Sequence, residues 1–288
     1  MIEVPLSEYL CSNEQLAELL ASYGGEPAIF QQIAPKDDDD GWDTGNHYAR
    51  IVFDIDQTAD DERKAAGTLY IDISSTAEST QPEDIELLLK SLIDGFFFVQ
   101  DGMTYSTKWV RSDGFISEPN SKVFGRTLTF SILAFPVQIT IDPDTVELMN
   151  NWTAEIFPDA IIINVTETDA VFAPTDEKPV VYWSHQGLTE SPIDSVYSCT
   201  WLQSNLTMHI MAPSASLRNR IIKKALTELE TKRRVLWPDK SQFIIHRTLA
   251  NLTSDPVRVG QLIVQGSFGV LREPSDAEPL ARPHITIR

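Results

Sequence analysis

Cysteine is almost missing from this chain. Cys11 and Cys199 are the only two in 288 residues, which excludes a disulfide scaffold and a cysteine-based zinc module. Neither has a histidine close by in sequence, and both read as buried thiols. Long apolar runs are missing too: none reaches the ~18 residues of a membrane span, so no membrane contact is expected. Basic side chains are scarce. Lys and Arg number 23 against 42 Asp and Glu, a net charge of −19. A general duplex-DNA binder needs the opposite balance, because phosphates are neutralised by Lys and Arg. Glu3 and Glu8 lie where a signal peptide would be basic, so secretion is not expected. There is no Gly-x-Gly-x-x-Gly, no P-loop and no Gly-x-Ser-x-Gly.

What is present suffices for folding. Hydrophobic residues make up 42% of the chain, enough for ordinary cores, and the length suits two domains of about 100–200 residues. The charge divides unevenly. Residues 1–150 hold 27 acidic and 9 basic side chains, a net of −18, while residues 151–288 carry a net of −1. Such asymmetry means either a solvated acidic surface or a wall that repels a polyanion.

The pattern of elements occurs twice. In the first half a helix is expected over Glu14–Tyr23, capped by Asn13 and ended by Gly24-Gly25. Extended segments follow at Ala28–Ile33, Ala49–Asp56 and Thr68–Ile73. A second helix over Pro82–Asp94 opens on Pro82 and stops at Gly95. Strands return at Phe96–Val99, Tyr105–Val110 and Thr127–Val137, and Asp101-Gly102 signals a tight hairpin. The second half runs helix Thr145–Ile156, strands Ala160–Val165, Val180–Ser184 and Asn205–Met211, helix Ser214–Lys232, then strands Gln242–Leu249 and Gln261–Leu271. Leu16 and Leu148, Ala28 and Ala160, and Ile85 and Leu217 each stand 132 residues apart. An ancient duplication is expected, with modules at 1–140 and 141–288. Strands such as Arg50–Asp56 alternate apolar and polar, as antiparallel sheets with one wet face do. The fold class is α+β: two similar modules, each an antiparallel or mixed sheet covered by two helices. Residues 273–283, with Pro274, Pro279 and Pro283, read as an extended tail.

The longest loop, Ala34–Tyr48, carries Asp37, Asp38, Asp39, Asp40 and Asp43 around Gly41 and Trp42. Calcium loops space their ligands so that alternate side chains converge, and adjacent Asp residues point apart, so no metal site is expected. A solvated or partner-seeking loop fits better. Trp42 could anchor an interface or tuck back onto its own domain. A less charged loop, Asp169–Lys178, holds the matching place in the second half. The basic run Lys232-Arg233-Arg234 is either an ordinary helix C-terminus or a contact for the acidic face of a neighbouring subunit or for a nucleic-acid end. Asp37, Asp38, Asp39, Asp40, Trp42, Asp43, Lys232, Arg233 and Arg234 are the candidate interface residues.

Two motifs suggest chemistry. Ile51-Val52-Phe53-Asp54-Ile55-Asp56-Gln57-Thr58 resembles the first motif of haloacid-dehalogenase-type phosphotransferases. That resemblance implies Asp54 as nucleophile, Asp56 as acid/base and a magnesium ion. The chain has Gln57 where that family usually has Gly, and it lacks the later acid pair. His246-Arg247-Thr248-Leu249 and His284-Ile285-Thr286-Ile287 resemble the paired motifs of 2H phosphoesterases, at a closer spacing than that family's repeat allows. No catalytic residue and no cofactor is assigned from either.

The order of elements in the first half resembles the tail-terminator and tail-completion family of tailed bacteriophages. The resemblance covers about residues 10–138. It rests on the N-terminal helix, on Tyr48–Phe53, on Ala66–Ile73, on the helix Pro82–Asp94, and on the closing strand Gly125–Ile132. Members are usually one such module, whereas this chain has two. The resemblance implies a structural virion protein, not an enzyme, assembled in the host cytoplasm. It would form a homo-oligomeric ring, commonly a hexamer, at the head-proximal end of the tail. The ring would end growth of the tube or sheath and dock a neck or head-completion protein. Genome DNA would pass the lumen without specific binding. Another neck, collar or baseplate component is the alternative within that class, and a magnesium-dependent phosphotransferase using Asp54 and Asp56 is the alternative outside it.

Overall fold

Ile2, Leu6 and Leu10 recur every fourth residue and are all buried, so α1 (Glu3–Cys11), with Ile2 at its N-cap, lays one face on the core. In a computed structural model that describes residues 2–43, 47–58, 65–116, 122–138, 142–196 and 198–271, this helix is the first departure from expectation. The sequence pattern placed no helix there, because Pro5 lies in its first turn and no side chain caps it. The next helix, α2 (Glu14–Leu19), is capped by Asn13 as expected but ends earlier. Its tail is taken up by a small hairpin, β1 (Ser22–Tyr23) and β2 (Glu26–Pro27), turned by Gly24 and Gly25 at φ 60° and 85°.

The first sheet is then built from β3 (Ile29–Gln31), β4 (Arg50–Gln57) and β5 (Ala65–Ser75). The helix α3 (Pro82–Ile93) follows, and β6 (Phe97–Gln100), β7 (Met103–Ile116) and β8 (Phe124–Phe135) complete the set. Asp101 and Gly102 turn β6 into β7 with φ of 54° and 74°, the primed turn that Asp-Gly favours. The inward face of this sheet packs Ile51, Phe53, Ile71, Leu128 and Phe130 under α1, α2 and α3. Three helices therefore cover it rather than two.

The second sheet follows the same plan. The second half of the chain runs α4 (Thr145–Ile156), β9 (Ile161–Ile162), β10 (Val171–Phe172), β11 (Val180–Glu190), β12 (Cys199–Met211), α5 (Ala215–Lys232), β13 (Arg234–Leu236), β14 (Gln242–Ala250) and β15 (Leu262–Leu271), and all of these strands but β10 form the second sheet. Asp144 caps α4 through the Val146 and Glu147 N–H groups, and Ser214 caps α5 through Leu217. Both helices close one apolar core, with Trp152, Trp183, Phe243 and Phe268 inside.

The strand orders are β10-β6-β7-β8-β5-β4-β3 and β13-β14-β15-β12-β11-β9. With β10 set aside, the two lists are the same, element for element. In each, the first strand runs parallel to the next, and the remaining pairs are antiparallel. In each, one helix crosses between the third strand and the fourth. The repetition reaches a backbone detail: Gln32 and Asn164, just past the parallel strands and 132 residues apart, both adopt left-handed φ, 63° and 68°. The chain is thus an α+β protein of two similar modules.

The odd strand joins them. β10 belongs to the second module's sequence but pairs antiparallel with β6 at the edge of the first sheet. Around it, Phe97, Leu133 and Phe135 of the first module pack with Ile163, Val180, Tyr182, Met211 and Val257 of the second. These first-module residues alternate with the core residues Phe98, Ile132 and Ala134, so they lie on the side of the sheet away from its helices. No described helix is long and apolar enough to cross a membrane. The tail read at 273–283, like His284, lies outside the described residues.

Candidate functional site

The acidic loop is more ordered than its charge suggests. Trp42 is 8% exposed and packs edge-on against Tyr23 and Phe30, with centroids 5.2 and 5.9 Å away. Its indole N–H donates to the Lys36 carbonyl at 2.9 Å. Of the two roles open to it, the structure places it back on its own module. The Asp residues divide into two groups. Asp39 accepts from the Gly41 N–H at 3.0 Å and the Tyr23 hydroxyl at 2.9 Å, and these bonds hold its carboxyl below the usual range. Asp43 accepts from the Ser22 hydroxyl at 2.5 Å and the Gly25 N–H at 2.9 Å, with the same effect. Asp37 meets the Arg50 guanidinium at 2.7 Å. Asp38 and Asp40 have no partner among the described residues and point their charge into solvent.

The basic run divides in the same way. Lys232 pairs with Glu228 at 3.0 Å and Arg233 with Glu230 at 2.5 Å, both on their own helix. Arg233 ends α5 with φ 55°, and this left-handed turn swings the chain directly into β13. Arg234 is exposed and has no ion pair among the described residues. A cleft of about 970 Å³ opens beside β13, lined by Leu148, Trp152, Lys232, Arg234 and Trp237. The candidate interface residues therefore fall into two groups, one on the first module and one on the second, with no hydrogen bond or ion pair between them among the described residues.

Of the candidate catalytic motifs, Asp54, Asp56 and His246 lie on described strands, and His284 lies outside the described residues. Asp54 and Asp56 are exposed on β4, where their cross-strand neighbours are Tyr70 and Thr68. Among the described residues no group of three His, Cys, Asp or Glu could hold a metal ion. His246 sits at a bulge in β14, with Nε2 at 2.7 Å from the Ser267 hydroxyl.

Sequence reading passed over the polar joint between modules. Ser184 on β11 and His209 on β12 are 25 residues apart, and only strand pairing brings them together. The Ser184 hydroxyl lies 3.1 Å from His209 Nε2, and the other ring nitrogen lies 3.0 Å from the Pro256 carbonyl. A proton on Nδ1 satisfies that carbonyl and leaves Nε2 to accept from the serine. Both side chains are buried. Next to them the Tyr182 hydroxyl donates to the Pro136 carbonyl at 2.9 Å and accepts from Gln138 at 2.6 Å. Burial of Tyr182 pushes its hydroxyl far above the usual value, so it stays a neutral donor. Asn164 donates to the Phe135 carbonyl at 3.2 Å and Arg258 to the Ser131 hydroxyl at 2.9 Å. The Ser184–His209 pair lies within the second module, whereas the contacts of Tyr182, Asn164 and Arg258 reach residues of the first. No protein-family model, no curated protein sequence and no solved structure matches this chain.

Proposed function

We propose that this chain is a structural virion protein that forms a ring at the head-proximal end of a phage tail. The ring ends growth of the tube or sheath and offers a docking surface to the neck. The observation that carries this reading is the joint between modules. Two modules of one design meet through different surfaces, the β6 side of the first and the β9–β11 side of the second. A contact of that heterologous kind, repeated with a rotation, closes rings. The charge supports the same reading. A first half of net −18 beside a near-neutral second half suits a lumen through which DNA slides without sticking. Its partners are then further copies of itself, the tube or sheath, and a neck or head-completion protein.

The test is co-assembly. The purified chain is added to growing tubes of the tail-tube protein of the same virus and followed by negative-stain electron microscopy. Rings capping one end, with tubes of arrested length, are the expected result. Bare tube ends and unaltered growth at saturating protein would rule the reading out. The catalytic alternative has its own assay: magnesium-dependent hydrolysis of p-nitrophenyl phosphate, abolished by Asp54→Asn, would replace the structural role.

A further inference from the structure

The two sheets end differently at corresponding edges. The first continues past β6 into β10, whereas among the described residues the second stops at β13. Register makes these edges equivalent. The Thr107 N–H donates to the Phe96 carbonyl as the Ile245 N–H donates to the Arg233 carbonyl, so Phe97, Phe98 and Val99 of β6 correspond to Arg234, Val235 and Leu236 of β13. Phe98 and Val235 both point into their own cores. On β6 the outward positions are occupied: Phe97 stacks on Phe172 at 5.1 Å and 11°, and the Val99 N–H donates to the Ala170 carbonyl at 2.8 Å. On β13 the matching Arg234 and Leu236 are exposed, Leu236 at 50%, and Leu271 at the end of β15 is 81% exposed. An unpaired strand edge with exposed apolar side chains invites another strand.

The chain also holds an unused counterpart of the segment that fills β6. Past β9, left-handed Asn164 leads into the loop that delivers β10 to the neighbouring module. Past β3, left-handed Gln32 leads to Ile33, 81% exposed, and then to Asp38 and Asp40, whose charges are unpaired among the described residues. Among the described residues no strand of the second module pairs with this loop. Its negative charge is opposite to that of the unpaired Arg234 on the vacant edge.

Resting on the ring reading above, we propose that a second copy of this chain covers the β13 edge. The segment Gln32–Asp40 of one copy lies along β13 of the next. Ile33 supplies the apolar contact beside Leu236, and Asp38 and Asp40 face Arg234. Each copy uses its loop once and its β13 edge once, so the contact runs head to tail and repeats between chains the joint already made within each chain. A ring of six modules then takes three chains.

Sedimentation velocity and light scattering over a range of concentrations test this on the full chain. The wild type is expected to self-associate reversibly, less so at high salt. Leu236→Asp, Arg234→Glu, and the double change Asp38→Lys with Asp40→Lys should each weaken association by about tenfold or more, a shift of ~1.4 kcal/mol or above. Their thermal unfolding should remain that of the wild-type monomer, since all these side chains are exposed. Combining Arg234→Glu with Asp38→Lys and Asp40→Lys in one chain should restore much of the association. A wild type that is monomeric at every concentration overturns the proposal. So does association indifferent to all these changes, which would put the contact elsewhere and leave the ring reading standing. Association gained only by truncation after Leu271 would assign the edge to the chain's own last residues and overturn it too. Rings that form as expected but never cap a tube would instead defeat the virion role and leave this contact intact.

Discussion

Gly125 shows how one missing methyl group holds two strands together. A Cβ there would stand 1.9 Å from the Ile73 carbonyl oxygen on the neighbouring strand, which is backbone and cannot swing aside. Gly125→Ala should therefore cost at least the ~1–3 kcal/mol typical of overpacking, read as a lower urea midpoint. Gly114, across the β7–β8 ladder, is the control: its nearest neighbour to a new Cβ is 4.0 Å away. Gly114→Ala should be neutral or stabilise by roughly 0.4–1 kcal/mol through the unfolded chain. In the second module the Trp183 indole N–H donates to the buried Thr153 hydroxyl at 2.8 Å. Thr153→Val keeps the shape and removes the acceptor, so a buried donor is orphaned at a cost of about 1–3 kcal/mol. Urea unfolding of the variant measures it, and a cost below the error of the midpoint would show that the indole finds another partner.

At the level of elements, α3 carries its own pH dependence. Burial raises the Glu86 carboxyl, but the Lys90 ammonium at 2.6 Å and the Arg126 guanidinium at 3.2 Å outweigh burial and hold it below the usual 4.5. The folded state thus binds the proton less readily than the unfolded chain. The stabilisation is complete above pH 4.5 and is lost as pH falls through the folded value. Glu86→Gln should lower the urea midpoint at neutral pH, with the gap to the wild type closing on acidification. Elements with strong local punctuation were legible in the sequence. Pro82 and Gly95 bound α3, Asp101-Gly102 turns the hairpin, and Thr145–Ile156 matches α4 residue for residue. The missed strands have a cause in common. β10 and β13 span two and three residues, too few to show a period, and exist because a sheet edge lies beside them. β7 runs on to Ile116 through the polar stretch Arg111–Gly114 because β8 supplies its ladder. The acidic and basic candidates were visible as charge runs. Which charges remain unpaired was not, since Tyr23, Ser22 and Arg50 reach Asp39, Asp43 and Asp37 only through the fold.

For the whole molecule the joint at β10 decides how the modules behave together. Phe97 is 1% exposed and faces the second module. Phe97→Asp buries a charge in that joint, and the two cores should then melt separately. Differential scanning calorimetry should show one transition for the wild type and two for the variant, and one sharp transition in the variant would mean that the modules are coupled by other means. The same joint has a kinetic consequence. Because β10 and β6 lie on one chain, they meet at an effective concentration set by the tether, about millimolar for short connections, however dilute the protein. Every second contact around a ring of such chains would be complete before any two molecules collide. Fewer encounters would then be needed for closure, and dilution would act only on the joints between chains.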